Sequence, residues 1–244
     1  MTRLFCDFPL SIGENLELQK DAARHIMVLR LSAGDTLTLF NSLGGEYQAR
    51  ITRIDRQRVT AEIVSHSSRE AELPYRITLA QGIPEASKMD WIIEKSVELG
   101  VSGIIPLAAQ RSVVRLNSDR AEKRLSRWQA IIISAAQQCG RNRLPHIAPP
   151  ADIEEYLRQT TPSPRILFSP RATETLSEWA RRQKPQDITL MIGPEGGFSP
   201  EEETLAEQAG VTFLSMGPRI LRTETAGLAA VAAINALWET RQAP

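Results

Sequence analysis

The sequence predicts an α/β protein in two parts: a small β-rich unit over residues 1–70 and a larger α/β domain with a mostly parallel sheet over 74–244. The first part shows short apolar-polar alternations separated by turn signals, and the second shows apolar strands alternating with helical stretches that end at glycines. In order, a short helix is expected across Lys20 to Leu31, then alternation in Asp35–Phe40, a turn at Asn41–Gly45, and two further runs at Glu46–Ile51 and Arg58–Val64. These three runs make a meander. The polar stretch Ser65–Pro74 reads as a linker, which places the boundary there. Beyond it, strands are expected at Tyr75–Ala80, Gly103–Leu107, Arg165–Phe168, Ile188–Ile192 and Val211–Ser215. Helices are expected at Lys88–Leu99, Asp119–Cys139, Ala172–Arg182, Pro200–Ala209 and Glu224–Thr240, with Gly100, Gly140 and Gly210 standing where left-handed caps belong.

Composition excludes several classes. With 42% hydrophobic residues in 244, the chain can bury a core without covalent staples. Two cysteines, Cys6 and Cys139, with no CxxC pair and no clustered histidines, support neither a disulfide framework nor a metal site. No stretch approaches the apolar length of a membrane span, and no apolar run follows the N-terminal arginine, so a cytoplasmic protein without membrane attachment is expected. Formal net charge is zero, which argues against a general positive field for coating nucleic acid and leaves local patches open. Of the 29 basic residues 24 are arginine, whose planar fork suits phosphate and base contacts, although genomic bias produces the same statistic.

The most informative segment runs from Ile188 to Glu203. An apolar strand enters Gly193-Pro194-Glu195-Gly196-Gly197, after which Ser199 caps a helix that opens with Pro200 and three glutamates. Glycines at the carboxyl end of a strand let a ligand approach the backbone, at the edge where open α/β sheets bind. A phosphate is a poor fit, because Pro194 removes an amide donor and Glu195, Glu201, Glu202 and Glu203 supply negative charge where an anion would sit. The loop favours a neutral or cationic ligand; as an ordinary capped strand-to-helix turn it would have no ligand at all.

A second segment, Val211 to Ala230, again leads from a strand through Gly217-Pro218 into a loop and a helix rich in small residues. Two such loops can line one pocket, with Ile220 and Leu221 as an apolar wall between Arg219 and Arg222, and with Thr223 or Thr225 as a helix cap or ligand hydrogen bond. Solvated arginines and capping threonines are the plainer alternative.

Together these loops resemble the RsmE family of ribosomal RNA uridine N3-methyltransferases. The resemblance rests on Gly193-Pro-Glu-Gly-Gly-Phe-Ser-Pro-Glu201 and Gly217-Pro-Arg-Ile-Leu-Arg-Thr-Glu-Thr-Ala226, with Glu94–Val101, Gln110–Ser112 and Ala135–Arg141 upstream. Near the N-terminus, Arg3-Leu-Phe5, His25–Arg30 and Gly34-Asp35 are similar to that family's PUA-like RNA-binding domain. Cys139 stands where a serine is commoner. The resemblance implies a PUA-like β-barrel over 1–70 and a SPOUT methyltransferase domain over 74–244, with a C-terminal trefoil knot and cofactor site at about 189–238 and a homodimer that completes the site. Pattern alone predicts no knot, since threaded chains are rare. It further implies that S-adenosylmethionine is held by backbone groups around Met191, Ile192, Gly193, Pro194, Glu195, Gly196, Met216, Gly217, Ile220, Leu221, Thr225 and Ala226, without a metal, and that the methyl group goes to N3 of a uridine in small-subunit (16S) ribosomal RNA.

That chemistry asks chiefly for alignment of the nucleophile with an already activated methyl carbon. As N3 loses its proton, charge spreads onto the neighbouring carbonyls, where an arginine can stabilise it. Arg222 is the first choice for that role, with Arg219, Arg111 and Arg141 behind it; Glu195 and Glu224 remain open as general base. Phosphate contacts are expected from Arg3, Arg24 and Arg30 in the first part and from Arg111, Arg115, Arg141 and Arg143 in the second. Alternatives are a SPOUT methyltransferase acting on another RNA base or a ribose, and a non-catalytic RNA-binding assembly factor that retains the pocket.

Overall fold

The computed structural model describes residues 2–18, 20–55, 58–85, 87–112 and 118–238. The chain forms two compact units: Met1–Glu72 with Ile133–Leu144, and Leu73–Ile132 with Pro145–Pro244.

The first unit contains β1 (Arg3–Phe5), β2 (Asn15–Glu17), α1 (Lys20–Val28), β3 (Thr36–Phe40), β4 (Glu46–Asp55) and β5 (Arg58–Ser67). Its sheet runs β1-β3-β4-β5-β2, with β1 parallel to β3 and the meander β3–β4–β5 antiparallel, as the alternation predicts. Inward residues such as Leu37, Leu39, Ile51 and Ile63 are fully buried and make its core. β5 continues to Ser67, so the start of the expected linker is strand; its pairing with β4 supplies order that polar composition does not reveal.

Helix α1 ends at Val28, before the expected Leu31, because Arg30 turns left-handed at φ 56°. The Arg30 amide then donates to Met27 and the Leu31 amide to Ile26, the two bonds of a Schellman cap. Cys6 is buried here, and burial pushes its thiol up to about 12, which removes it as a nucleophile. Residues 133–144 were expected in the second part; they join the first through the Gln137 side chain, which accepts from the Phe5 amide at 3.0 Å, and through Asn142, whose side chain bonds Arg3 and the Arg69 carbonyl.

The second unit holds β6 (Ile77–Gly82), α2 (Lys88–Glu98), β7 (Gly103–Ala108), the start of α3 (Ser118–Cys139), β8 (His146–Ile147), β9 (Ala151–Asp152) and α4 (Ile153–Arg158). There follow β10 (Arg165–Phe168), α5 (Leu176–Arg182), β11 (Ile188–Ile192), α6 (Pro200–Gln208), β12 (Thr212–Leu214) and α7 (Thr223–Trp238). The sheet order is β12-β10-β11-β6-β7-β8, with β9 also on β7, and the pairings are parallel. Parallel strands covered on both faces read as continuous apolar runs, and all five residues of β11 are buried. Met191 and Leu167 face one way, into a cluster with Tyr156 of α4 and Ala206 of α6. Leu79 and Ile192 face the other, against Gly227 of α7.

The expected helix Ala172–Arg182 starts only at Leu176, because Thr175 and Glu178 form a reciprocal capping box there. α7 closes on a small aromatic cluster, where the Trp238 indole donates to the Ala180 carbonyl at 2.9 Å and meets Tyr75 edge-on. Among the described residues no helix is long and apolar enough to cross a membrane, and no group of acidic, histidine or cysteine side chains could hold a metal.

Candidate active site

In the sheet, β10 lies between β11 and β12, and the segments that leave the carboxyl ends of these three strands wall a cavity of about 590 Å³. That volume lies within the range of small-molecule and cofactor sites.

The first wall is the loop after β11. Gly193 is required because a Cβ there would sit 2.9 Å from the backbone of Gly197, and Gly82 at the end of β6 because a Cβ would come within 2.6 Å of Pro194. The loop turns tightly, the Gly197 amide donating to the Pro194 carbonyl at 2.8 Å, and then enters α6 through a capping box between Ser199 and Glu202. Glu202 is buried, and its carboxylate accepts from the backbone amides of Ser199 and Gln110, both at 2.7 Å. Of the three glutamates at this helix start it is therefore a structural brace. Glu203 pairs with Arg171, while Glu201 is held below the usual carboxylate range by its own backbone amide and the Ser199 hydroxyl.

Glu195 is tied down as well. Its carboxylate accepts from Lys88 Nζ at 2.6 Å and from the Glu85 amide at 3.1 Å. Burial pushes its carboxyl up, but the hydrogen bonds from Lys88 and from the backbone amides of Glu195 and Glu85 outweigh that and leave it below the ordinary range. The same bond to Glu195 raises the Lys88 ammonium.

The second wall is the loop between β12 and α7. Gly217 is left-handed at φ 91°, and Ile220 stands almost fully exposed at the mouth. The loop is locked to the first by a buried relay. Gln81 Nε2 donates to the Gly82 carbonyl and to Thr223 Oγ1, both at 2.9 Å, and the Thr223 hydroxyl donates to the Gly193 carbonyl at 2.6 Å. Because the Gly82 carbonyl only accepts, the Gln81 amide is oriented, Thr223 must accept from it, and the single hydroxyl proton goes to Gly193.

Ile192, Gly193, Pro194, Glu195 and Gly196 line the cavity from one side, and Met216, Gly217, Ile220, Leu221 and Ala226 from the other. Two expected cofactor residues do not. The Met191 side chain points into the core on the opposite face of β11, as strand alternation requires, leaving only its backbone for the expected contact, and Thr225 is exposed on α7 outside the cavity lining. Arg222 lines the cavity with its side chain 83% exposed. Arg111 also lines it, donating to the Gly196 carbonyl at 2.9 Å and to Phe198 at 3.4 Å, so it shapes the loop.

Sequence reading missed Lys88 and the segment Phe168–Arg171. The apolar strand ending at Ser169-Pro170 was the available signal, but its place between β11 and β12 depends on sheet order.

Of the arginines expected on phosphates, Arg24 and Arg30 are exposed on the first unit with no ion pair among the described residues, and Arg143 is half-exposed beside Glu70 at 3.3 Å. Arg3 and Arg141 correct that expectation. Arg3 is largely buried on Glu46 at 2.6 Å and Asn142 at 2.5 Å, and Arg141 is only 3% exposed with its Nε 2.9 Å from Glu72. Arg115 lies outside the described residues.

Two glycine loops at the carboxyl edge of a parallel sheet, walling one cavity, make a small-molecule or cofactor site. A family model described as "RNA methyltransferase domain" matches residues 71–235, and one described as "RNA methyltransferase PUA domain" matches 18–64. The chain is 35% identical to the ribosomal RNA small subunit methyltransferase E of Buchnera aphidicola subsp. Schizaphis graminum, over 95% of this chain and 94% of that one. It is 32% identical to the Bacillus subtilis protein of the same name, over 88% and 87%.

Among solved structures, the Neisseria gonorrhoeae ribosomal RNA small subunit methyltransferase E bound to S-adenosyl methionine superposes with a TM-score of 0.90 at 39% identity, covering 98% of both chains. A Legionella pneumophila methyltransferase in complex with the same cofactor gives 0.91 at 37% identity, covering 96% of this chain and 97% of that one. The chain belongs to the ribosomal RNA small subunit methyltransferase E family.

Proposed function

We propose that this protein transfers the methyl group of S-adenosylmethionine to N3 of one uridine in small-subunit (16S) ribosomal RNA, working as a cytoplasmic homodimer. The observation that carries the reading is a cavity at the carboxyl edge of the parallel sheet whose two loops offer backbone groups and apolar surface. The residues fit the cofactor: Ile192, Ile220 and Leu221 offer apolar contact, and the backbone of 193–196 and 216–217 offers polar groups. When bound, the cofactor supplies a methyl group on a positively charged sulfur.

The protein's own part is alignment. The Gln81–Thr223–Gly193 relay fixes one wall against the other, so that base and methyl group meet in line. Arg222, whose ion-pair partner among the described residues is Glu224 at 4.0 Å, is free to swing toward the uracil carbonyls as they gain charge. Arg24, Arg30 and Arg143 supply phosphate contacts from the first unit.

The trefoil knot of the SPOUT fold belongs to this reading. It is supported by α7, which leaves the edge strand β12 and packs against the inner strands β11 and β6. The homodimer is supported by Trp91 on α2 and Leu237 on α7, large apolar side chains left exposed on two helices that pack together.

The test is transfer of labelled methyl from S-adenosylmethionine to small ribosomal subunits that lack this modification, followed by digestion and mass analysis. Label in 3-methyluridine is expected. Label in another base or a ribose would replace the specificity, and cofactor binding without transfer to any RNA would point to an assembly factor.

A further inference from the structure

Methylation at N3 requires the imide proton to leave, and this inference rests on the uridine reading proposed above. Glu195 and Glu224 are the two carboxylates that sequence leaves open for accepting it, and the structure separates them. Around the cavity, Glu195 is bound to Lys88 of α2 and to a backbone amide, and Glu203 of α6 to Arg171. Arg111 is spent on loop carbonyls. Glu224, in the first turn of α7, is different: among the described residues its buried Oε2 has no hydrogen-bond donor, and its Oε1 is ion-paired only with Arg222, at 4.0 Å. Its side chain is 18% exposed and lines the cavity. The remaining charged side chains that line the cavity are Lys88, already held by Glu195, and the exposed Arg219 and Arg222. A buried carboxylate oxygen left without a donor beside a ligand cavity is a group kept for a ligand's proton.

We infer that Glu224 is the catalytic base. The N3–H bond breaks with its proton going to the Glu224 carboxylate, the N3 electron pair forms the bond to the methyl carbon, and the methyl–sulfur bond breaks with its pair left on sulfur as a neutral thioether. Arg222, two residues away, faces the carbonyl that carries charge while this happens.

The test compares wild type, Glu224→Gln and Glu224→Asp in single-turnover methylation of small subunits across pH, with cofactor affinity by calorimetry and product nucleosides by mass. Glu224→Gln is expected to lower the rate at neutral pH by about a hundredfold, to bind cofactor as the wild type does, and to recover as pH rises and the imide ionises unaided. Glu224→Asp should fall between the two. A neutral-pH rate equal to wild type, a deficit that stays constant with pH, or a loss of cofactor affinity in step with rate each overturns the assignment. A wild-type product other than 3-methyluridine overturns the uridine reading and the base with it, and the nucleoside masses report that separately from the kinetics.

Discussion

Replacing Thr223 by valine removes one hydroxyl and keeps the shape of the side chain, so its consequence can be worked from the relay alone. Thr223 is 6% exposed and Gln81 fully buried, and the hydroxyl both accepts from Gln81 at 2.9 Å and donates to Gly193 at 2.6 Å. Valine leaves the Gly193 carbonyl and one Gln81 N–H without partners. At about 1–3 kcal/mol for each unsatisfied group, with the Gly193 side only partly buried, the loss should be about 2–4 kcal/mol. At roughly 2–4 °C per kcal/mol for a unit of this size, the melting temperature should drop by roughly 5–15 °C. Because Gly193 lies in the first wall of the cavity, cofactor affinity should fall as well. Thr223→Ser keeps the hydroxyl and should restore most of both. Scanning calorimetry with and without S-adenosylmethionine reads the two effects together. A Thr223→Val protein that melts with the wild type and binds cofactor equally well would show that the relay holds nothing in place.

Other perturbations test other parts of the site. Arg222→Ala should cut methylation at least about tenfold, equivalent to ~1.4 kcal/mol of transition-state stabilisation, with cofactor affinity nearly unchanged; equal activity in a single-turnover assay removes Arg222 from the mechanism. Gly82→Ala places a methyl group 2.6 Å from Pro194 and should weaken cofactor binding measured by titration calorimetry, since the loop must move. Arg30→Gly relieves the left-handed strain at φ 56°, so the melting temperature should hold or rise while affinity for ribosomal RNA falls in a filter-binding assay; a fall in both would make Arg30 structural.

The Lys88–Glu195 pair carries a pH signature. Glu195 is lowered, so its contribution to stability is present above the unfolded carboxylate value of about 4.3 and is lost as pH falls through its depressed folded value. Lys88 is raised, so its contribution is present below about 10.4 and is lost as pH rises through its raised folded value. The melting difference between wild type and Lys88→Met should therefore be flat across neutral pH and shrink at both extremes; a difference that varies near neutrality would break the assignment.

Each wall of the cavity was legible because its signals are local. Gly193 to Gly197 follow an apolar strand and precede a capped helix, and Ser199 with Glu202 at capping-box spacing can be read from the letters. What Glu202 binds beyond its own helix could not be read, since the Gln110 amide it accepts from is distant in sequence. The same holds for Arg141. Its position beside a glycine-closed helix suggests an exposed guanidinium, and only the folding of residues 133–144 into the first unit brings it onto Glu72.

By itself the sequence determined most of the longer strands and helices, where most of them stop, and which two loops wall the cavity, because hydrophobic period, caps and left-handed glycines act over a few residues; the short β1, β2, β8, β9 and α4 carry too little pattern to be read. The tertiary structure alone decided the rest: that β10 lies between β11 and β12, that Thr223 reaches the Gly193 carbonyl, that Lys88 claims Glu195 while Glu224 Oε2 is buried without a donor among the described residues. Those are contacts between residues far apart in the chain, set by strand order and burial, and no periodicity in a single sequence encodes which distant partner a buried polar group will find.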